Sequence, residues 1–153
     1  MDSAQPGSAH EALGGFIGQW HGTTELAASV RGPARTAAAD VTYTRAAGGF
    51  ALVQSYRHTE ADGTHFEGHG VFTVDPDHQE VLWYYVDSLG LPPEAPARGT
   101  WRDGMLTVER RSNRVTARHT FRVDDGVLTH RAELRLGDAP DFSPFMTSVC
   151  TRV

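Results

Sequence analysis

The sequence predicts an all-β protein: a single antiparallel up-and-down β-barrel of about ten strands, preceded by a short N-terminal helix and forming one domain over residues 1–153. Three observations predict it. Turn residues interrupt extended segments about every 8–12 residues, the spacing of a β-sandwich or barrel. Three Asp-Gly pairs (Asp62-Gly63, Asp103-Gly104 and Asp125-Gly126) lie between such segments. Asp-Gly is a leading hairpin signal, because both central residues of a type I′ turn need φ > 0. Apolar and polar residues alternate along the second half, as in strands buried on one face.

The helix comes first. Ser8 and Glu11 fit a capping box that starts a helix over 8–17, with 1–7 expected to be flexible. Strands are expected near 19–29, 36–46, 50–59, 64–74, 80–87, 96–102, 105–111, 114–123, 127–136 and 143–152. A sheet of that many strands curls or closes, and closure removes exposed edges. The Pro-rich segment from Leu89 to Pro96 reads as a rigid lid or rim.

Two-residue turns fix registers by arithmetic. Around Asp103-Gly104, Trp101 faces Leu106. Around Ser112-Asn113, Leu106 faces His119 and Arg110 faces Val115. Around Asp125-Gly126, Phe121 faces His130 and His119 faces Ala132. These registers agree on one core face, which carries Trp101, Leu106, Val108, Ala117, His119, Phe121 and Leu134. The opposite face carries Arg98, Arg102, Arg118, Arg122, Arg131 and Arg135. A one-residue slip would exchange the faces. Around Asp62-Gly63 the same arithmetic groups Gln54, Tyr56 and His58 with Glu67, His69 and Val71. Phe66, Gly68, Gly70 and Phe72 fall on the other face, and pattern alone leaves open which side is inward.

Composition excludes several functions. The net charge of −5 argues against a nucleic-acid partner, and no apolar run is long enough for a membrane helix. Every basic residue is Arg. The absence of Lys excludes a Schiff-base lysine and a Walker-type lysine, and the bias suggests a GC-rich bacterial genome. Neither G-x-S-x-G nor G-x-G-x-x-G occurs in a usable context. No secretory leader is evident, and the single Cys150 cannot form an internal disulfide, so a cytoplasmic setting is expected. Cys150 reads as a small packed residue.

The segment Phe16-Ile17-Gly18-Gln19-Trp20-His21-Gly22 follows the helix as F-x-G-x-W-x-G. Together with Gly68-His69-Gly70-Val71-Phe72, Gly99-Thr100-Trp101 and the late Arg152, it resembles the calycin (lipocalin-like) barrels. The similarity is strongest to the nitrobindin-like proteins and the DUF1579 family. The resemblance implies that Arg152 lies across Trp20 and closes one end of the barrel. Nitrobindin-like proteins bind haem through a histidine near the C-terminal end of the barrel. Here 143–153 holds no histidine, which counts against haem.

Candidate chemistry centres on His119 and His130, diagonal neighbours on adjacent strands of the core face. Buried imidazoles point to ligand contact, acid/base chemistry or a satisfied core pair. Trp101, Leu106 and Phe121 are expected to line the same interior. Arg110 faces inward at one end, as a rim residue or an anchor for an anionic group. Tyr85 lies on the aromatic strand Trp83-Tyr84-Tyr85. Tyr56 and His69 join the site if their face is inward. His65, Glu67 and His69 share a strand side, but zinc needs further ligands and no metal is assigned. The expected partner is a small, largely apolar or aromatic molecule, bound by a monomer or a homodimer. The alternative is a cofactor-independent cyclase, isomerase or dehydratase acting on a secondary metabolite with His119 and His130 moving protons. A haem-binding role ranks third.

Overall fold

The computed structural model describes residues 9–29, 32–90, 96–112 and 114–153. Helix α1 (Ala9–Leu13) runs into a 3-10 turn over Gly14–Phe16. Ten strands follow: β1 (Gly18–Leu26), β2 (Arg35–Ala46), β3 (Ala51–Thr59), β4 (His65–Asp75), β5 (Glu80–Asp87), β6 (Ala97–Arg102), β7 (Met105–Ser112), β8 (Val115–Asp124), β9 (Val127–Leu136) and β10 (Ser143–Arg152). Each pairs antiparallel with its sequence neighbours, and β10 returns to β1, so the sheet closes into a ten-strand barrel. Among the described residues no helix is long and apolar enough to cross a membrane. Ser8, and most of the loop expected to act as a rim, lie outside the described residues.

The hairpin chemistry accounts for the register. Asp103 and Gly104 have φ of 53° and 76°, and Asp125 and Gly126 have 52° and 77°. These are type I′ turns, whose twist matches that of the strands. They place Trp101 opposite Leu106 and Phe121 opposite His130, as the arithmetic expects. Two other expectations are corrected. Ser112 pairs with Val115, so β7 and β8 sit two residues from the expected register: Leu106 faces Phe121, and Arg110 faces Ala117. A shift of two preserves the faces.

The shift at Asp62-Gly63 is one residue and does not preserve them. There Glu60 N donates to Thr64 O, Gly63 N donates to Glu60 O, and Asp62 Oδ1 accepts from Thr64 N. Only Gly63 has positive φ (89°). This is a longer loop with a left-handed glycine, and it places Tyr56 opposite Gly68 and His58 opposite Phe66. The interior therefore takes Gln54, Tyr56 and His58 from β3, but Phe66, Gly68, Gly70 and Phe72 from β4. Glu67 and His69 lie on the outer side.

Gly68 and Gly70 let rings lie on the wall. A Cβ on Gly68 would collide with Tyr85 Oη, and one on Gly70 with the Trp83 indole and the Gln54 amide. Gly22 allows β1 to approach β10, since a Cβ there would strike the Val149 carbonyl.

Candidate functional site

The two ends of the barrel are built differently. At one end the helix and the 3-10 turn drive Leu13 and Phe16 into the lumen. Phe16 packs against Tyr43, Trp101 and Phe121 with ring centres 5.4, 5.5 and 6.3 Å apart. Arg152 seals this end. Its guanidinium lies 4.3 Å from the Trp20 ring centre, and its Nη2 donates to the Gly15 carbonyl at 2.7 Å. Trp20 Nε1 donates to the Phe16 carbonyl at 2.8 Å. This is the closure that the resemblance implies.

The other end encloses a cavity of about 230 Å³. Its walls are mainly apolar: Phe66, Leu89, Val115, Ala117, Ala132, Leu134, Phe145 and Met146. A cavity of about 150 Å³ admits benzene, so this one has room for a guest of about one or two rings. Polar side chains converge on it at two levels. Tyr85, Asp87, Arg110 and Ser112 stand toward the mouth, and Gln54, Tyr56, His119 and His130 lie deeper.

Two of the buried lining residues form a hydrogen-bonded pair. His119 Nδ1 lies 2.8 Å from His130 Nε2, with ring centres 5.1 Å apart. Phe121 stacks on His130 at 4.1 Å, and Trp83 meets His119 edge-on at 4.8 Å. Burial disfavours the charged imidazolium. It holds His119 well below the ordinary histidine range, assisted by His130 and Arg110, and it pushes His130 down to about 3. Both rings are therefore neutral near pH 7. A neutral imidazole has one N–H and one lone pair, so one ring donates to the other. The outer nitrogens, His119 Nε2 and His130 Nδ1, make no hydrogen bond among the described residues. The sealed, unpaired side-chain polar atom among those residues is Arg135 Nε. The outer imidazole nitrogens are thus unpaired but not sealed, and both histidines line the cavity.

Tyr56 anchors a second polar cluster. Its Oη lies 2.7 Å from Thr24 Oγ1, 2.8 Å from His58 Nδ1 and 3.4 Å from Ser148 Oγ. Burial raises the Tyr56 hydroxyl pKa and lowers that of His58. Gln54 accepts from Trp83 Nε1 at 3.1 Å and donates to Tyr43 Oη at 3.2 Å, which fixes the floor. Nearer the mouth, the Arg110 guanidinium lies 4.6 Å over the Tyr85 ring. Burial, with Asp87 adding to it, raises the Tyr85 pKa.

Of the residues expected from sequence, the structure brings Tyr56, Tyr85, Arg110, His119 and His130 together around the cavity. Trp101, Leu106 and Phe121 belong instead to the packed end and floor. They point inward as expected, but the helix and Phe16 fill the space beside them. His69 is exposed on the outer face because of the one-residue register difference. The same flip exposes the proposed strand side of His65 and Glu67, and no group of three metal-ligating side chains occurs among the described residues. Sequence reasoning missed Gln54, Phe66, Phe145 and Met146 as lining. The alternation Met146-Ser148-Cys150 along the last strand was the available signal, and all three are buried.

Fold and site together define a closed ten-strand barrel with a filled end and a cavity at the other. The chain belongs to the family described as "Protein of unknown function (DUF1579)", whose model matches residues 5–152. Among curated proteins none matches it by sequence. The fold is similar to the crystal structure of Rv2717c from M. tuberculosis, with TM-score 0.73, 16% identity and 99% of each chain covered. It is also similar to the S-type phycobiliprotein lyase CPES from Guillardia theta, with TM-score 0.73, 12% identity, and 97% of this chain and 94% of that one covered. EF1p2_mFAP2b, solved bound to DFHBI, matches with TM-score 0.51 and 14% identity, covering 95% of this chain and all of that one.

Proposed function

We propose that this protein binds a small, planar, largely apolar or aromatic molecule in the barrel cavity. The supporting observation is the contrast inside one lumen: one end is filled, and the other leaves apolar walls around a cavity that two paired histidines line. In this reading the walls bury the rings of the ligand, the histidine pair hydrogen-bonds it, and Arg110 and Tyr85 hold a polar or anionic substituent near the mouth. The DFHBI-bound neighbour supports the idea that a barrel of this shape can host a small molecule. The cavity is built from one chain, so the reading holds for a monomer or a homodimer. Its setting is a bacterial cytoplasm.

Calorimetric titration with 1-naphthol tests this reading. Affinity of roughly 10–100 µM is expected for a ligand of that size, with Ala117→Phe abolishing it. No heat at millimolar 1-naphthol would sink the reading.

One observation favours a second reading. A neutral histidine pair lining the cavity suits acid/base chemistry, as in a cofactor-independent cyclase, isomerase or dehydratase acting on a secondary metabolite. Haem is the least supported reading: β10 offers no histidine, and a cavity sized for about two rings is small for a porphyrin.

A further inference from the structure

We propose that the cavity takes an aromatic monocarboxylate of one or two rings, with Arg110 at the mouth holding the carboxylate. This inference rests on the ligand-binding reading above and deepens it, from an apolar guest to a singly charged acid. The observation that carries it is a cation without a counter-ion on the wall of an apolar cavity.

The inward alternation of β7 runs from Leu106 and Val108, both fully buried, to Arg110 and Ser112, which line the cavity. Arg110 stands opposite Ala117 of β8, which lines the same space. Its guanidinium lies over the Tyr85 ring at 4.6 Å. Among the described residues it makes no ion pair and donates no hydrogen bond. The Tyr85 hydroxyl likewise makes no hydrogen bond among them, so two unpaired donors stand side by side. Arginines on the outer face are solvated by water or paired with acids, as Arg118 is with Glu133 at 3.2 Å. Arg110 is half-buried beside apolar side chains. A guanidinium there has lost part of its hydration, and only an anion restores the full value of its N–H groups. The Tyr85 ring is a weaker partner, and it leaves the edge of the guanidinium fork free.

The charges at the mouth select one negative charge rather than two. Arg110 is the only arginine on the cavity wall, and Asp87 stands on the same wall without pairing to it. Asp87 Oδ1 instead accepts from Leu89 N at 3.0 Å. Burial raises the Tyr85 pKa; Asp87 adds to that and Arg110 opposes it, so both charges act at this point of the wall. The two histidines are neutral near pH 7 and add no positive charge. A dianion would therefore meet the field of Asp87 with a single guanidinium to offset it. A carboxylate carries one charge, and its two oxygens match the planar fork through parallel N–H···O bonds.

The walls select what the carboxylate is attached to. Val115, Ala117, Ala132 and Leu134 flank the Arg110 level on β8 and β9, so apolar surface begins directly beside the charge. The volume of about 230 Å³ accommodates one or two rings, given that about 150 Å³ admits benzene. The fitting guest is a flat acid with its charge at one end.

Calorimetric titrations of the full chain with 1-naphthoate, 1-naphthamide and 1-naphthyl phosphate test this assignment. 1-Naphthamide has nearly the shape of 1-naphthoate without its charge, and at about pH 7 the acid is fully ionised. 1-Naphthoate is expected to bind at least about fivefold tighter than either of the others. Arg110→Gln should bring the naphthoate-to-naphthamide affinity ratio down to about one. Arg110→Lys, which keeps the charge but not the fork, should leave it at about two.

Equal affinities of the wild type for 1-naphthoate and 1-naphthamide overturn the assignment. So does tighter binding of 1-naphthyl phosphate than of 1-naphthoate, or a ratio that Arg110→Gln leaves unchanged. In each case binding of 1-naphthol leaves the ligand-binding reading standing. If Arg110→Gln does not fold, the wild-type ratios decide. If none of these compounds gives heat at millimolar concentration, 1-naphthol included, both readings fall.

Discussion

The two ends of this barrel are made from the same strands, yet they spend their side chains differently. At the Trp20 end, large rings pack against one another and an arginine closes the gap with hydrogen bonds to carbonyls. At the His119 end, the inward positions carry Ala117, Ala132 and Leu134, and the larger side chains stand around a space. The closed half carries stability, while the open half gives up packing for a polar pair exposed to a guest. Core residues stabilise by filling volume; a site forms where that filling stops.

Acid gives the largest way to break this comparison. Both cavity histidines have pKa values lower in the folded protein than in the unfolded chain. Below about pH 6.5 the unfolded state therefore binds more protons, and stability falls as the pH drops toward about 3. His130 contributes roughly 1.4 kcal/mol per pH unit within that window, and His119 acts in the same direction. Urea unfolding at successive pH values should show this slope, and His119→Leu/His130→Leu should flatten it. Equal slopes in the two proteins would break the account.

Truncation at the closed end comes next. Trp20→Ala should cost about 3–5 kcal/mol, read from the urea midpoint. Ala117→Phe, filling the open end, should stay within about 1 kcal/mol of wild type while abolishing 1-naphthol binding. If the two variants swapped phenotypes, the division of the barrel would be wrong.

The two arginines sharpen the contrast further. Arg152→Ala should cost about 1–2 kcal/mol. Arg110→Ala should change thermal stability little, but weaken binding of 1-naphthoate relative to 1-naphthol by roughly fivefold. The smallest effect is a null. Added haem should give no Soret band from a specific complex, and a saturable one would overturn the size argument.

Much of the wall was legible in the sequence. Asp103-Gly104 and Asp125-Gly126 each fix a register because a two-residue turn leaves the strands one way to pair, and the second of these brought His119 beside His130. Asp62-Gly63 uses the same dipeptide in a longer loop, where the glycine alone takes positive φ. Short-range pattern does not separate the two turns, and one residue of difference placed His69 outside. The filled end was not legible either. Alternation shows that Trp101 and Phe121 point inward, but not that Phe16 arrives from the N-terminus to occupy the lumen beside them. That contact joins residues far apart in the chain, and only the assembled fold sets it.

Among the described residues, β5 and β6 are joined by three residue pairs, Val81–Gly99, Leu82–Arg98 and Trp83–Ala97, whereas β8 and β9 share ten. Tyr84–Asp87 thus continue toward the mouth beyond the last rung of that ladder. The cavity is thus framed by backbone of two kinds. Tyr85 and Asp87 stand on a strand with few described pairs on that side, while the histidine pair stands on two strands laddered along their whole length. The residues at the mouth therefore sit on the less constrained support.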